Sequence, residues 1–283
     1  MAGVTRSAGR PLDAVAQDVA AGSRKWVARL ARVGFLAKAV LYLTVGLLAL
    51  KAALGQGGRA ADSHGAMRTV LSGPLGSVAL AVITLGLFGY ALWRLVQAVA
   101  DPERAGRGAK GLALRVSYAA RGLLHGALGF EALRLLLGQR GAGGEPARHW
   151  TAEVMSSPLG VWGVALAGLA VLGYGLAQVY RAFADRLRRK LDFSALSRAA
   201  AAWALRIARI GTAARGVVFF VVGLFLLKAA NEHDPSEATG LGGALRALGQ
   251  QPYGPWLLAL VALGLAAYGV DQFVQARFRR IRT

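Results

Sequence analysis

The sequence predicts an all-α polytopic membrane protein: six transmembrane helices, as three tandem two-helix repeats with pseudo-threefold symmetry along the membrane normal. Three observations predict it. Of 283 residues 55% are hydrophobic, yet only 14 are Asp or Glu, too few for the solvated surface of a soluble protein of this size. The 34 Lys and Arg stand mostly between apolar stretches rather than within them. One residue pattern also recurs three times along the chain, which fixes the architecture.

A helix needs about 20 mainly apolar residues to cross hydrocarbon, where its backbone groups find no water. Six stretches qualify, at 33–54, 74–98, 114–137, 158–182, 207–230 and 253–276. Each is apolar around its whole circumference, as lipid on one side and neighbours on the other require.

Residues 1–29 read as a basic cytoplasmic tail. Arg6, Arg10, Arg24, Lys25 and Arg29 leave no apolar core for a cleavable signal, so the first span is expected to act as an uncleaved anchor. The first repeat, 30–101, opens with Gly34-Lys38-Tyr42-Gly46, a four-residue step that keeps these groups on one slowly drifting helix face. Its second helix starts at Pro74-Leu75-Gly76, where proline suits a first helical turn. Tyr90 follows that proline by 16 residues, then Arg94 and Ala98 at further steps of four. The second repeat, 102–195, matches with Ser117-Arg121-His125-Gly129, Pro158-Leu159-Gly160, Tyr174, Gln178 and Ala182. The third, 196–279, has Gly211-Arg215-Phe219-Gly223, Pro252-Tyr253-Gly254, Tyr268, Gln272 and Ala276. Lys51, Arg134 and Lys228 end the first helices. Before each proline a short amphipathic segment (Met67/Val70/Leu71, Val154/Met155, Leu245/Leu248) reads as a half-helix in the outer interface.

Orientation follows from the loops. One side, comprising the tail to Arg32, 94–115, 181–209 and 277–283, carries 23 Lys and Arg; the other carries 8. The positive-inside rule places both termini in the cytoplasm. Trp26, Trp93 and Trp203 fall at inner ends and Trp150, Trp162 and Trp256 at outer ends, as interfacial rings should.

Ionisable groups inside a bilayer need a reason. Lys38, Arg121 and Arg215 lie about one turn inside the cytoplasmic face. The late tyrosines share their depth, so each hairpin gathers a donor-rich set: Lys38/Tyr90/Arg94/Gln97, Arg121/Tyr174/Gln178/Arg181 and Arg215/Tyr268/Gln272/Gln275. Interhelical hydrogen bonding with snorkelling cations is the simpler reading of these sets. The functional reading is that they hold anions, the phosphates of anionic lipid head groups at the cytoplasmic face. Lys51, Arg134 and Lys228 are expected to snorkel, Glu131 to pair with Arg134, and Asp271 to pair with a nearby cation.

These motifs resemble the bacterial membrane family known as domain of unknown function 1206. The resemblance spans residues 28–280 and implies six spans in three repeats, with no activity attached. The second repeat departs most, with Ser117 for glycine, His125 for an aromatic and Arg181 where the others carry Gln97 and Gln275.

Other classes find little support. No cysteine is present, which excludes disulfides and thiolate chemistry. A net charge of +20 suits nucleic acid, but the cations flank apolar segments instead of lining one helix. His64, His149 and His233 fall one per repeat in outer loops, at unequal offsets from the following proline, so no metal is expected. The glycine runs at 55–58 and 141–144 lack the Lys-Ser/Thr of a phosphate loop and read as linkers. No cofactor, paired acids or nucleophile motif appears, and an enzyme is not expected. The expected protein is a structural or anionic-lipid-interacting membrane protein. The alternative is a small transporter or channel along the pseudo-threefold axis, which a dry, plugged axis would remove.

Overall fold

The computed structural model describes residues 10–56, 60–101, 106, 108–139, 146–184 and 196–279. The linker residues 57–58 and 141–144 and the basic segments 102–105, 185–195 and 280–283 lie outside them. The described chain is all-α: α1 Arg10–Ala53, α2 Ser63–Leu71, α3 Gly76–Ala100, α4 Ala109–Leu136, α5 Pro146–Met155, α6 Gly160–Phe183, α7 Arg198–Glu232, α8 Leu241–Gly249 and α9 Gly254–Phe278. Each repeat is therefore a long helix, a short one and a second long one.

Among the described residues, five helices are long and apolar enough to cross a membrane: α1 over Arg29–Ala53, α3, α6, α7 and α9. Helix α4 has the length, 28 residues, but Lys110, Arg115, Arg121, His125, Glu131 and Arg134 dilute its apolar character. Helix α1 does not wait for residue 30. It is continuous over 44 residues, about 66 Å at 1.5 Å per residue, so residues 10–29 prolong the first span beyond hydrocarbon about 30 Å thick.

The prolines stand earlier than the first helical turn. Helices α3, α6 and α9 begin at Gly76, Gly160 and Gly254, and Pro74, Pro158 and Pro252 occupy the preceding turn. Each short helix ends only a few residues upstream. A Cβ on these glycines would overlap the carbonyl of Leu71, Val154 or Gly249. The glycine is required by an elbow this tight, with Leu75 and Tyr253 in the left-handed region at φ 55° and 61°.

Contacts between repeats use the same positions each time. Helix α9 packs on α1, α3 on α4 and α6 on α7. Gly46 lies against Ala266, Gly129 against Phe88 and Gly223 against Leu172, equivalent residues of the three second helices. Small residues let the backbones approach, as membrane helix packing demands.

Contacts within repeats are not alike. Helices α1 and α3 cross at Gly34 and Gly86; a Cβ on Gly34 would stand 2.5 Å from Tyr90 Cβ and 2.7 Å from the Gly86 carbonyl oxygen. Helices α7 and α9 cross at the equivalent Gly211 and Gly264. In the second repeat these positions are Ser117 and Ala170, two Cβ atoms where the other copies have none. Helices α4 and α6 share no packed interface among the described residues. Burial records the difference: Leu41 and Val218 are 3% and 1% exposed, whereas the equivalent Leu124 is 63% exposed. The long helices thus form an open ring, α4–α3–α1–α9–α7–α6, with a seam inside the second repeat.

An apolar core fills the half of the ring nearest the short helices, with Leu41, Val45, Leu80, Leu87, Val218, Leu258 and Leu265 at its centre. Helices α2 and α8 pack against the ends of the long helices beside them. They insert Met67 and Leu245, both fully buried, into the top of this core. Helix α5 keeps Trp150 and Val154 exposed. Trp93 also departs from expectation: it is 1% exposed, packed on Phe35 and Tyr90 in a second, inner cluster rather than at the interface.

Candidate functional site: a cation–phenol core

The four-residue register places a cation and then an aromatic on one face of each first helix, and that face turns inward. The first set assembles as expected. Lys38 Nζ lies 3.4 Å from Tyr90 Oη, Arg94 donates to the same oxygen from Nε and NH2 at 2.9 and 2.7 Å, and Arg94 NH1 donates to Gln97 Oε1 at 2.8 Å. All four side chains are buried.

The other sets do not stay within their repeats. Arg215 donates from Nε to Tyr42 Oη at 3.0 Å and from NH1 to Tyr174 Oη at 2.9 Å, so one guanidinium of the third repeat ties the first and second together. It also faces the rings of Phe219 and Tyr268, at 4.6 and 5.1 Å. Lys38 lies 5.9 Å from the Tyr268 ring. The His125 ring lies tilted against Tyr90, centroids 4.6 Å apart, and Tyr42 meets Tyr268 edge-on at 4.7 Å. The three expected clusters are therefore parts of one core. Cation–π contacts of this kind contribute about 2 kcal/mol each where water is excluded.

Gln272 and Gln275 serve another partner. Their amide nitrogens donate to Asp271 Oδ2 at 3.1 and 2.6 Å, and Gln275 Oε1 accepts from Arg279 NH1 at 2.7 Å. Asp271 makes no direct ion pair among the described residues, contrary to expectation. Its own helix presents two amides at i+1 and i+4, and one of them relays to the cation. Among the described residues, Gln272 Oε1 and Trp93 Nε1 find no hydrogen-bond partner for their buried atoms.

The second set is the loosest. Arg181 NH1 reaches Gln178 Oε1 at 3.4 Å, and Arg121 lies 5.4 Å from the Tyr174 ring. Among the described residues the Arg121 side chain makes no hydrogen bond or ion pair. Arg121, His125, Tyr174 and Arg181 are only half-buried, beside the seam.

Tyr42, His125, Phe219 and Asp271 belong to this core and were not assigned to it from sequence. The signal existed for three of them: they follow the cation by one helical turn in the repeated register. Toward the C-terminal ends of the first helices, Glu131 pairs with Arg134 at 3.6 Å as expected, and Lys228 pairs with Glu237 at 2.8 Å. Asp234, in the loop beyond, accepts from the Ser236 N–H and hydroxyl, which hold its carboxyl below the usual range. No group of three His, Asp or Glu suited to a metal occurs among the described residues.

Comparison with known proteins agrees with the triplication. A family described as "Domain of Unknown Function (DUF1206)" matches three segments, 33–101, 116–185 and 210–279. The chain is 32% identical over 259 residues to "Uncharacterized protein YxxB" of Bacillus subtilis (strain 168), covering 92% of this chain and 94% of that one. No solved structure matches the chain.

Proposed function

The chain belongs to the DUF1206 family, and from that premise we propose a six-span protein of the bacterial inner membrane that binds anionic lipid. Helix α4 is the sixth span, the repeats surround a pseudo-threefold axis, and both termini are cytoplasmic. The cation–phenol core holds the phosphate of an anionic head group in the cytoplasmic leaflet. It is a binding protein, without catalysis or cofactor.

One observation carries the reading. Among the described residues the buried charged side chains are Lys38, Arg94, Arg215 and Asp271: three cations against one carboxylate, which is already engaged by two amides. Uncompensated buried charge costs several kcal/mol per ion. An anion offsets that cost, and cationic pockets at the cytoplasmic side take lipid head groups. The transporter or channel reading fares worse. The apolar core capped by Met67 and Leu245 supports a plugged axis over an open one.

Two measurements test this. The chain has no native cysteine, so single cysteines report sidedness directly. An impermeant maleimide added to intact spheroplasts is expected to label Ser72→Cys and Ser156→Cys, and Ser197→Cys only after permeabilisation. The inverse pattern, or α5 and α2 on opposite sides, sinks the topology. Protein extracted in mild detergent is expected to retain phosphatidylglycerol in preference to phosphatidylethanolamine by native mass spectrometry. Lys38→Met should weaken that binding by roughly fivefold, the equivalent of about 1 kcal/mol per cation. Equal retention of both lipids ends the reading.

A further inference from the structure

We infer that the seam between α4 and α6 is a lateral portal through which the head group of an anionic phospholipid passes from the bilayer to the core, with Arg121 its first ligand. This rests on the lipid reading above and adds the route and the identity of the entry residue.

The seam has a cause in the sequence. The glycine pairs Gly34/Gly86 and Gly211/Gly264 draw the first and third hairpins shut, and Ser117 and Ala170 replace them in the second. The facing surfaces are consequently bare. On α4 the Leu124 side chain is exposed where Leu41 and Val218 are buried. On α6 Ala167 is exposed where the equivalent Ile83 and Val261 are 2% and 8% exposed. A Cβ on Gly173 would meet nothing within 4 Å, whereas one on its equivalent Gly89 would stand 2.9 Å from Leu30 Cβ.

Charge decides what enters. Behind the seam, at the register position of Lys38 and Arg215, lies Arg121, half-buried near the Tyr174 ring, its side chain making no hydrogen bond or ion pair among the described residues. Its five N–H donors match a phosphate in geometry and charge. A helix from a second copy would bring no free anion to that level: the acids of the six apolar stretches are Glu131 and Asp271, one held by Arg134 and the other by amides. A free phosphate would meet apolar walls on the way in. An amphipathic lipid satisfies both ends, with acyl chains left along Val116, Leu124 and Ala167 and the phosphate carried inward.

Closing the seam tests it. Ala113→Cys and Gly173→Cys occupy the positions equivalent to Leu30 and Gly89, both exposed on facing helices. The double variant, in nanodiscs of phosphatidylglycerol and phosphatidylcholine, is reacted with a short bis-maleimide and then offered isotope-labelled phosphatidylglycerol. Native mass spectrometry follows exchange of the bound lipid. The cross-link is expected to slow exchange by about tenfold or more, the reagent acting on the rate and not on the site. Each single cysteine reacted with the same reagent should exchange as the unmodified protein does. Unchanged exchange in cross-linked protein overturns the portal while leaving the binding site standing. Absence of bound phosphatidylglycerol before any modification overturns the site itself. Displacement of the lipid by millimolar inorganic phosphate as readily as by lipid moves the entrance to the aqueous face, and cross-links between copies make the seam a subunit interface. Either result rejects the portal.

Discussion

Gly223→Leu is expected to abolish recovery of folded protein. Among the described residues, α7 is the one long helix on which α6 packs closely. A Cβ on Gly223 would stand 2.6 Å from the Leu172 backbone nitrogen, and one on Gly175 would stand 2.5 Å from that of Phe220. These are backbone atoms on both sides, so no rotamer relieves the overlap; the helices must separate. Over-packing by small additions costs about 1–3 kcal/mol, and leucine adds four carbons at the point of closest approach. With no packed interface to α4 among the described residues, α6 has only the short α5 besides α7 to hold it in place. The measurement is the monodisperse fraction after detergent extraction, with thermal melting of whatever survives. Gly173→Leu is the control, two residues from Gly175 but on the open side, where nothing lies within 4 Å. It should melt within a degree or two of the parent. Equal damage from both substitutions would mean that α6 is packed on both faces.

Arg215→Met is expected to remove the stabilisation that anionic lipid confers. The guanidinium bridges Tyr42 and Tyr174, phenols from the two other repeats. Hydrogen bonds to a charged donor contribute about 1.5–3 kcal/mol each. Part of that loss is offset, because the variant also removes a buried cation that repels Lys38 and Arg94. Melting temperature in lipid-free detergent should therefore fall only modestly. The linked quantity is the discriminating one: a ligand that binds only the folded state raises its stability with concentration. Phosphatidylglycerol should raise the parent melting temperature and leave that of Arg215→Met nearly flat. Arg215→Lys keeps the charge but presents a point donor that cannot span two phenols, and should restore part of the lipid response. An undiminished lipid shift in Arg215→Met would detach the core from lipid binding altogether.

Much of the architecture was legible in the chain because hydrocarbon forces a length on a helix and the Pro-x-Gly elbows mark where each second helix turns back. The short outer helices and the inward cations were legible for the same reasons. Helix α4 was read on length and pattern, although its cations and His125 make it the least apolar of the six. What sequence spacing could not supply was the partner across a helix interface. Arg215 was grouped with Tyr268 of its own hairpin; its hydrogen bonds go to Tyr42 and Tyr174, because the closest packing joins one repeat to the next. Trp93 looked interfacial by position, yet the inner cluster with Phe35 and Tyr90 buries it. The prolines were set one turn too late because the steric demand that shapes the elbow comes from the preceding helix. Ser117 was visible as a departure from glycine. Its consequence needed the matching change at Ala170, which only the crossing geometry of the other hairpins identifies.

The open ring also bears on biosynthesis. Chains enter the bilayer from the N-terminus onward, and a span is protected once a neighbour covers it. Helix α3 can dock on α1 as soon as it emerges, and α4 can dock on α3. Helix α6 has no such neighbour already in place: its hairpin companion α4 offers it no fitting face. It waits in lipid until α7 has been translated, and a ribosome stalled between the two would leave the second hairpin half-assembled.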